Sequence, residues 1–439
     1  MFDAVTVGAL SVVAIFVLIL LGFHIGVALA AASFVGVYLI TGKLVVAASL
    51  LQTTAFHGIN DYIFAVIPLF VVMGLFATQS GATRDLFDAA ESLLRNIRGG
   101  VGIGTVIANA IFAAITGVSV ASAAVFSKLA VPEMNRLGYE RKFALGIVAS
   151  SALLGMLIPP SVLMIIYGVI TEESIGKLFA AGIGPGLVVT AALSTTILLR
   201  VRLDPALAGR EGRGTATANT RMDAIVRIWP IAALIALVLG GIYGGLFTPT
   251  EAGAIGALGA LALIVLRARF TTATMMTMLL DTGRACASIF FLLLTAQMYS
   301  RMLTLSRLPD TLTQWASGLA VPSLVILLAF VVVLLILGCI IDSVSILLLT
   351  MPIMVPVVQS FGYDKIWFGM IAIITVEIGL LTPPFGIVVY AMKAALPDDV
   401  KIEDIFRGCL PFYAALLVSL GLVIAFPAIS HFLPRLLIG

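Results

Sequence analysis

The chain has 439 residues, of which 61% are hydrophobic and only 11% charged, against about 25% charged residues in a soluble globular protein. Too few polar side chains are present to cover a water-facing surface, so a set of soluble domains is excluded and an integral membrane protein is predicted. A net charge of +3, spread along the chain, speaks against nucleic acid as a partner, and Cys286, Cys339 and Cys409 have neither paired nor metal-like spacing.

Several uncharged apolar stretches exceed the ~18 residues that mark a membrane-spanning helix: Ala4–Gly22, Leu178–Leu199, Ile228–Phe247 and Cys409–Ser430. The alternation of a β-barrel is not seen. The opening Met1-Phe2-Asp3 lacks a basic signal-peptide region, so Ala4–Gly22 reads as a retained first span. Arg84, Asp85, Asp88, Glu91, Arg95 and Arg98 mark a polar helix expected to lie along the inner surface and brace the next segment.

That next segment is not an ordinary span. Val101–Ser127 is uncharged, with Arg95 and Arg98 before it and Lys128, Arg136, Arg141 and Lys142 after it, and its middle carries Gly117-Val118-Ser119. A re-entrant hairpin over about 100–135 keeps both basic clusters on the cytoplasmic side. Phe143–Thr171 then runs 29 residues without a charge, about 43 Å as a straight helix, and Pro159-Pro160 breaks it, since proline cannot donate the helical hydrogen bond. Broken backbone at membrane depth must be buried in protein or line a cavity. Residues 200–227, rich in arginine, glycine and threonine, read as a flexible cytoplasmic linker between two halves, 1–199 and 228–439.

The second half repeats this punctuation at a constant offset of 224. Ser119 matches Ser343, Pro132 matches Pro356, Gly138-Tyr139 matches Gly362-Tyr363, Gly155 matches Gly379, and Pro159-Pro160 matches Pro383-Pro384. A second hairpin is expected over about 321–358 and a second broken helix over about 366–395. An odd number of crossings per unit makes the second unit inverted. With Met1 outside, 19 of the 25 Lys and Arg fall on the cytoplasmic side. This tracing needs Met275–Leu280 as an interfacial helix before a span near Ala285–Arg301, and yields about eleven membrane-crossing elements. The fold class is an all-α polytopic membrane protein of two inverted repeats, the pattern of a secondary transporter with its site at the midplane.

The candidate site residues are the tips and the breaks. Free N–H groups there can hold an anion and free carbonyls a sodium ion. The first tip carries Ser119 and Ser122, and the first break Gly155, Ile158, Pro160 and Ser161. The second tip carries Asp342, Ser343 and Ser345, and the second break Gly379, Thr382, Pro384 and Gly386. Asp342 is the one acid between Val321 and Tyr363; it reads either as a functional carboxylate or as a cap on the tip. Glu377 either sets local electrostatics or pairs with another helix. Asn109 is expected to bond to a neighbouring helix, and Gly253, Gly256 and Gly259 give one helix a small-residue packing face, within the chain or against another subunit. His24, His57 and His431 are isolated, and no Walker sequence, HExxH motif or catalytic triad is present, so an enzyme is not expected.

These motifs together resemble the large membrane subunit, of DctM type, of tripartite ATP-independent periplasmic (TRAP) transporters, over essentially the whole length. The carriers are Gly117-Val118-Ser119-Val120-Ala121-Ser122, Gly155 with Ile158-Pro159-Pro160-Ser161, Asp342-Ser343-Val344-Ser345 with Met351-Pro352, and Gly379-Leu380-Leu381-Thr382-Pro383-Pro384-Phe385-Gly386. The resemblance implies a bacterial inner-membrane permease with an elevator fold of the ion transporter superfamily type, importing an organic acid with sodium as coupling ion. It implies two partners, a small four-helix membrane subunit as a separate chain and a periplasmic substrate-binding protein. It places sodium at Ser119, Gly155 and Ile158, and at Asp342, Ser343, Gly379 and Thr382. Ser122, Pro160, Ser161, Ser345, Pro384 and Gly386 are the matching candidates for substrate contact. Gly386 is followed by Ile387-Val388-Val389-Tyr390, where many relatives have an Asn, so the particular acid is not assigned. The alternative is a stand-alone ion-coupled anion carrier or antiporter of a related inverted-repeat family.

Overall fold

A computed structural model describes residues 3–60, 62–94, 96–209, 218–319 and 321–438. Among these the chain forms α-helices and two short 3₁₀ turns, and no strand. The first half begins with α1 (Ala4–Leu20), α2 (Ile25–Thr41), α3 (Leu44–Asn60), α4 (Val66–Gln79) and α5 (Ala82–Leu94). A helical hairpin comes next, α6 (Gly100–Thr116) and α7 (Ser119–Arg136), then an interrupted helix of three pieces, α8 (Arg141–Ala152), α9 (Leu154–Leu157) and α10 (Val162–Thr171), and the long α11 (Ile175–Leu203). The second half runs through α12 (Ala218–Tyr243), α13 (Pro249–Leu266), α14 (Thr272–Ser306) and α15 (Leu308–Gly318). Its hairpin is α16 (Ser323–Gly338) and α17 (Ser343–Ser360), its interrupted helix α18 (Lys365–Leu381) and α19 (Ile387–Ala395), and it closes with α20 (Ile402–Ala425) and α21 (Ala428–Leu437).

Seven helices of the described residues are long and apolar enough to cross a membrane, or eight if the pieces α8 to α10, bent by 40°, count as one. Their outward faces carry large apolar side chains such as Leu258, Leu328 and Val418, as a lipid-facing surface requires.

The offset of 224 is visible as shared structural work. Glu140 caps α8 by accepting from Phe143 N at 2.7 Å, and Asp364, 224 residues on, caps α18 by accepting from Trp367 N at 2.9 Å. Gly138 and Gly362 both take positive φ, 84° and 79°, which glycine adopts without steric cost. Tyr139 and Tyr363 each reach back to the start of the preceding hairpin, to Gly102 N and Ser323 Oγ.

The halves interdigitate. α8 crosses α20 where Gly146 meets Gly408, so closely that a Cβ on Gly146 would lie 2.0 Å from the Gly408 carbonyl oxygen. α10 packs on α17, and α7 on α19. The Tyr167 hydroxyl donates to Lys365 O at 2.6 Å, and Lys365 Nζ donates to Thr171 O at 3.0 Å. A second body of helices, α1 to α4 with α12 to α14, flanks this one; the small-residue face of α13 packs inside the chain, Gly253 on Leu69 and Phe70, Gly256 on Met73 and Gly259 on Leu234. α5 lies against α6, and its buried Phe87 meets Phe126 of α7 edge-on at 6.5 Å. Arg98 lies beyond the end of that helix, and Arg95 lies outside the described residues.

Three expectations change. The expected interfacial helix over Met275–Leu280 is not separate: α14 is one continuous helix of 35 residues, ~52 Å long, because nothing between Thr272 and Ser306 interrupts its hydrogen bonds. The last span ends at Ala425, because Pro427 cannot continue it, and α21 forms a separate helix after it. The linker is helical at both ends. α11 runs to Leu203, and Asp204 caps a 3₁₀ turn at Pro205–Ala208 whose Leu207 carbonyl accepts from Glu140 N at 3.0 Å. α12 begins at Ala218, and residues 210–217 lie outside the described residues.

Candidate functional site

Each hairpin tip sits against the interruption of its own half. At the first tip the chain turns through Gly117, φ 62°, whose carbonyl accepts from Val162 N at 3.4 Å across the break. A Cβ on Gly117 would lie 2.7 Å from Pro160 O, and one on Gly155 would lie 2.8 Å from the Ser119 Cα. Glycine is required at both positions because backbone meets backbone. At the second tip the close contact is Gly379 against Gly338, where a Cβ on Gly379 would come within 2.6 Å of the Gly338 Cα.

The two breaks share a conformation. Ile158 and Thr382, 224 residues apart, both end a helix in extended backbone, with φ −91°, ψ 126° and φ −88°, ψ 138°. Both proline pairs, Pro159-Pro160 and Pro383-Pro384, have cis peptide bonds. They differ in exposure and capping. Pro159, Pro160 and Ser161 are buried, and Ser161 caps α10 and donates to Met156 O at 2.5 Å. Pro383, Pro384 and Phe385 are exposed, and α19 starts at Gly386, φ 53°, without a side-chain cap. The N-terminus of α19 thus lies directly behind an exposed turn and has no side-chain cap, although Gly386, Val388 and Val389 themselves are buried. Thr382 is half-buried and donates to Ile378 O at 2.8 Å, and the Tyr413 hydroxyl from α20 satisfies the neighbouring Leu381 carbonyl at 2.5 Å.

The tip side chains part company. Ser119 and Ser122, in the first turn of α7, are fully buried, and their hydroxyls have no hydrogen-bond partner. Ser343, in the first turn of α17, donates to Glu377 Oε1 at 2.8 Å. Asp342 is exposed and turned along its own helix, where its carboxylate accepts from Ser345 N at 3.0 Å and from the Ser345 hydroxyl. Of the two readings left open for Asp342, the geometry is that of a helix cap.

The convergence point is Glu377 of α18. It is 2% exposed, and no Lys, Arg or His among the described residues forms an ion pair with it. The Ser119 hydroxyl approaches the same carboxylate from the first hairpin, yet neither it nor Glu377 Oε2 closes a hydrogen bond. Ser119 and Ser343 are thus brought together on one buried acid. Ser122, Pro160 and Ser161 are buried beside the first break, Ser345 is held by Asp342, and Pro384 and Gly386 belong to the open second break, so the substrate candidates do not gather at one surface. Glu377 was not among the candidate ligands, although its signal was present: it is the one charge between Lys365 and Lys393. Asn109 meets its expected neighbour, donating to Ser151 Oγ of α8 at 2.9 Å.

A polar cleft lies apart from this point, between α10, α14, α15 and α17. One cavity of about 330 Å³ is lined by Thr171, Ser300, Asp310 and Lys365, and an adjoining one of about 290 Å³ by His57, Gln297 and Arg301, with Ile170, Glu172 and Ser300 common to both.

The family described as "Tripartite ATP-independent periplasmic transporter, DctM component" matches residues 12–429. The chain belongs to this family. Among its relatives, the "C4-dicarboxylate TRAP transporter large permease protein DctM" of Pseudomonas aeruginosa is 35% identical over 384 residues, 87% of this chain and 88% of that protein. The "Sialic acid TRAP transporter large permease protein SiaM" of Vibrio cholerae is 32% identical, again over 87% and 88%. Among solved structures, the YdaH transporter of Alcanivorax borkumensis has a similar fold, with a TM-score of 0.63 at 18% identity over 88% of this chain and 90% of that one. This DctM chain is a multi-pass membrane protein and a large permease of the TRAP type.

Proposed function

We propose that this DctM chain imports an organic acid across the bacterial inner membrane, driven by sodium. A periplasmic binding protein delivers the acid, and a small four-helix membrane subunit completes the permease as a separate chain. The observation that carries the reading is the meeting of both hairpin tips, each packed on its own helix break, at a single buried acid. Transport rather than catalysis is the activity such an arrangement serves. Sodium is proposed to bind around Ser119, Gly155 and Ile158 in the first half and Ser343, Gly379 and Thr382 in the second, with Asp342 holding the tip through its cap. The substrate carboxylate is proposed to sit at the open second break, near Pro384 and Gly386, where uncapped N–H groups favour an anion. The hairpins and interrupted helices pack as one body beside α1 to α4 and α12 to α14, a division that supports an elevator movement of the former against the latter. That relatives carry a C4-dicarboxylate and sialic acid in their names supports an organic acid as the substrate class.

The test is uptake into proteoliposomes with and without the binding protein, the small subunit and an inward sodium gradient. Uptake is expected only when all three are present. Saturable uptake by this chain alone would instead support a stand-alone carrier.

A further inference from the structure

We propose that the polar cleft between α10, α14, α15 and α17 is a receiving site for a compact zwitterionic acid, a small molecule carrying both a carboxylate and a cationic group. Arg301 on α14 takes the carboxylate, and Glu172 at the end of α10 takes the cationic group. The proposal rests on the import reading above and deepens it by naming the substrate class.

The first observation is a polar stripe on a membrane helix. Gln297, Ser300, Arg301 and Thr304 follow one another at helical spacing on one side of α14 and line the cleft. Met298, Tyr299, Met302 and Leu303, between them in sequence, are buried. Polar and ionisable side chains on such a helix are costly and mark the paths of ligands. Thr304 donates to Ser300 O at 3.0 Å. The Arg301 guanidinium has no ion-pair or hydrogen-bond partner among the described residues. Its fork of N–H groups matches a carboxylate.

The facing wall has the opposite character. Glu172 is exposed, sits at φ 55°, and forms no ion pair among the described residues, whereas its neighbour Glu173 takes Lys365 at 3.4 Å. Pro356 in α17 has no N–H to give to the carbonyl of Pro352, and both prolines line the cleft. One wall thus offers donors and a positive charge, the other acceptors and a negative charge.

The charge count decides the class. Arg301 and Lys365 are balanced by Glu172 and Asp310 around the two cavities. Lys365 is already held by Glu173 and by Thr171 O, which leaves Arg301 as the cation free for a ligand. A dianion would set its second charge against Glu172 or Asp310, whereas a zwitterion meets an opposite charge at each end. Cavities of about 330 and 290 Å³ lie at the small end of the roughly 300–1,000 Å³ of ligand pockets, so the molecule is compact. The place fits a receiving role. In the topology traced from the sequence, Arg301 and Lys365 fall on the outer side, from which the acid arrives. α10 and α14 belong to different bodies of the fold, so a ligand held between Glu172 and Arg301 touches both.

The experiment measures thermal unfolding of the full-length chain, purified in detergent in potassium chloride at neutral pH and constant ionic strength. The probes are γ-aminobutyrate, succinate and butyrate, which share one chain length and differ in charge. γ-Aminobutyrate should stabilise the parent with a saturable midpoint about tenfold below those of succinate and butyrate, and Arg301→Gln should raise that midpoint about tenfold, as expected for one lost charge-assisted contact. Glu172→Gln should act in opposite directions, weakening γ-aminobutyrate and tightening succinate, a reversal that a merely structural role would not produce. Both residues are exposed and unpaired among the described residues, so both variants should fold. Succinate binding the parent as tightly as γ-aminobutyrate, parent midpoints in both variants, or no saturable stabilisation by any probe would each overturn the site and leave the import reading standing. Absence of sodium-driven uptake by the complete system would instead overturn the import reading, and the receiving role with it, even where γ-aminobutyrate binds.

Discussion

Replacing Gly379 by alanine tests whether the second tip is seated by backbone contact. The new Cβ would lie 2.6 Å from the Gly338 Cα and 2.9 Å from the Leu335 carbonyl oxygen. Both are backbone atoms, so no flexible side chain can swing aside, and α16 must move away from α18. Overpacking of this kind costs about 1–3 kcal/mol. Alanine also favours a helix over glycine by about 1 kcal/mol, which hides part of the cost. Gly421 provides the reference: it is exposed in α20, and nothing lies within 4 Å of its hypothetical Cβ. Gly421→Ala carries the same propensity gain without the clash, so the difference between the two variants isolates the packing term, about 1–3 kcal/mol. Thermal unfolding of the purified proteins should rank Gly379→Ala below the parent and Gly421→Ala at or above it. Gly338→Ala should fall with Gly379→Ala, since its Cβ would lie 2.7 Å from the Gly379 Cα. Gly379→Ala melting at or above Gly421→Ala would refute the close seating of the tip.

Asp342→Ala should lose about 0.5–2 kcal/mol through the missing cap on α17, while Asp342→Asn should lose only a few tenths, because the amide oxygen still accepts from Ser345 N; a tenfold rise in the sodium midpoint of Asp342→Asn at unchanged stability would instead make the carboxylate a ligand. Arg141 hydrogen-bonds Asp399 at 2.6 Å and holds its carboxyl below the usual range. A depressed carboxyl contributes stability above its unfolded pKa, about 3.9, and loses it as pH falls through the lower folded value. Arg141→Gln should therefore melt slightly below the parent at pH 7 and converge with it below about pH 4; a gap that widens on acidification would exclude this ion pair as its source.

Much of the architecture is legible in the chain itself because its causes are local. Hydropathy marks the spans, since each must bury its own backbone hydrogen bonds in lipid. Pro159-Pro160 and Pro383-Pro384 mark the breaks, since proline removes a helical donor wherever it stands. Gly138, Gly362 and Gly117 mark turns that need positive φ, and the capping residues Glu140 and Asp364 announce the helices they start. The repeat at 224 needs only counting. Other features are decided by tertiary packing alone. Asp342 looks like an intramembrane ligand by composition, but its direction depends on the side-chain torsion that lets it accept from Ser345 N. Ser119 lies 258 residues from Glu377, and no property of either stretch encodes that they meet. The first tip is sealed and the second open, although their sequences punctuate alike, because exposure depends on which other helices lie across each break. Pairwise packing between segments far apart in the chain leaves no periodic trace in either one, and it is this packing that gives two similarly punctuated hairpins different surroundings.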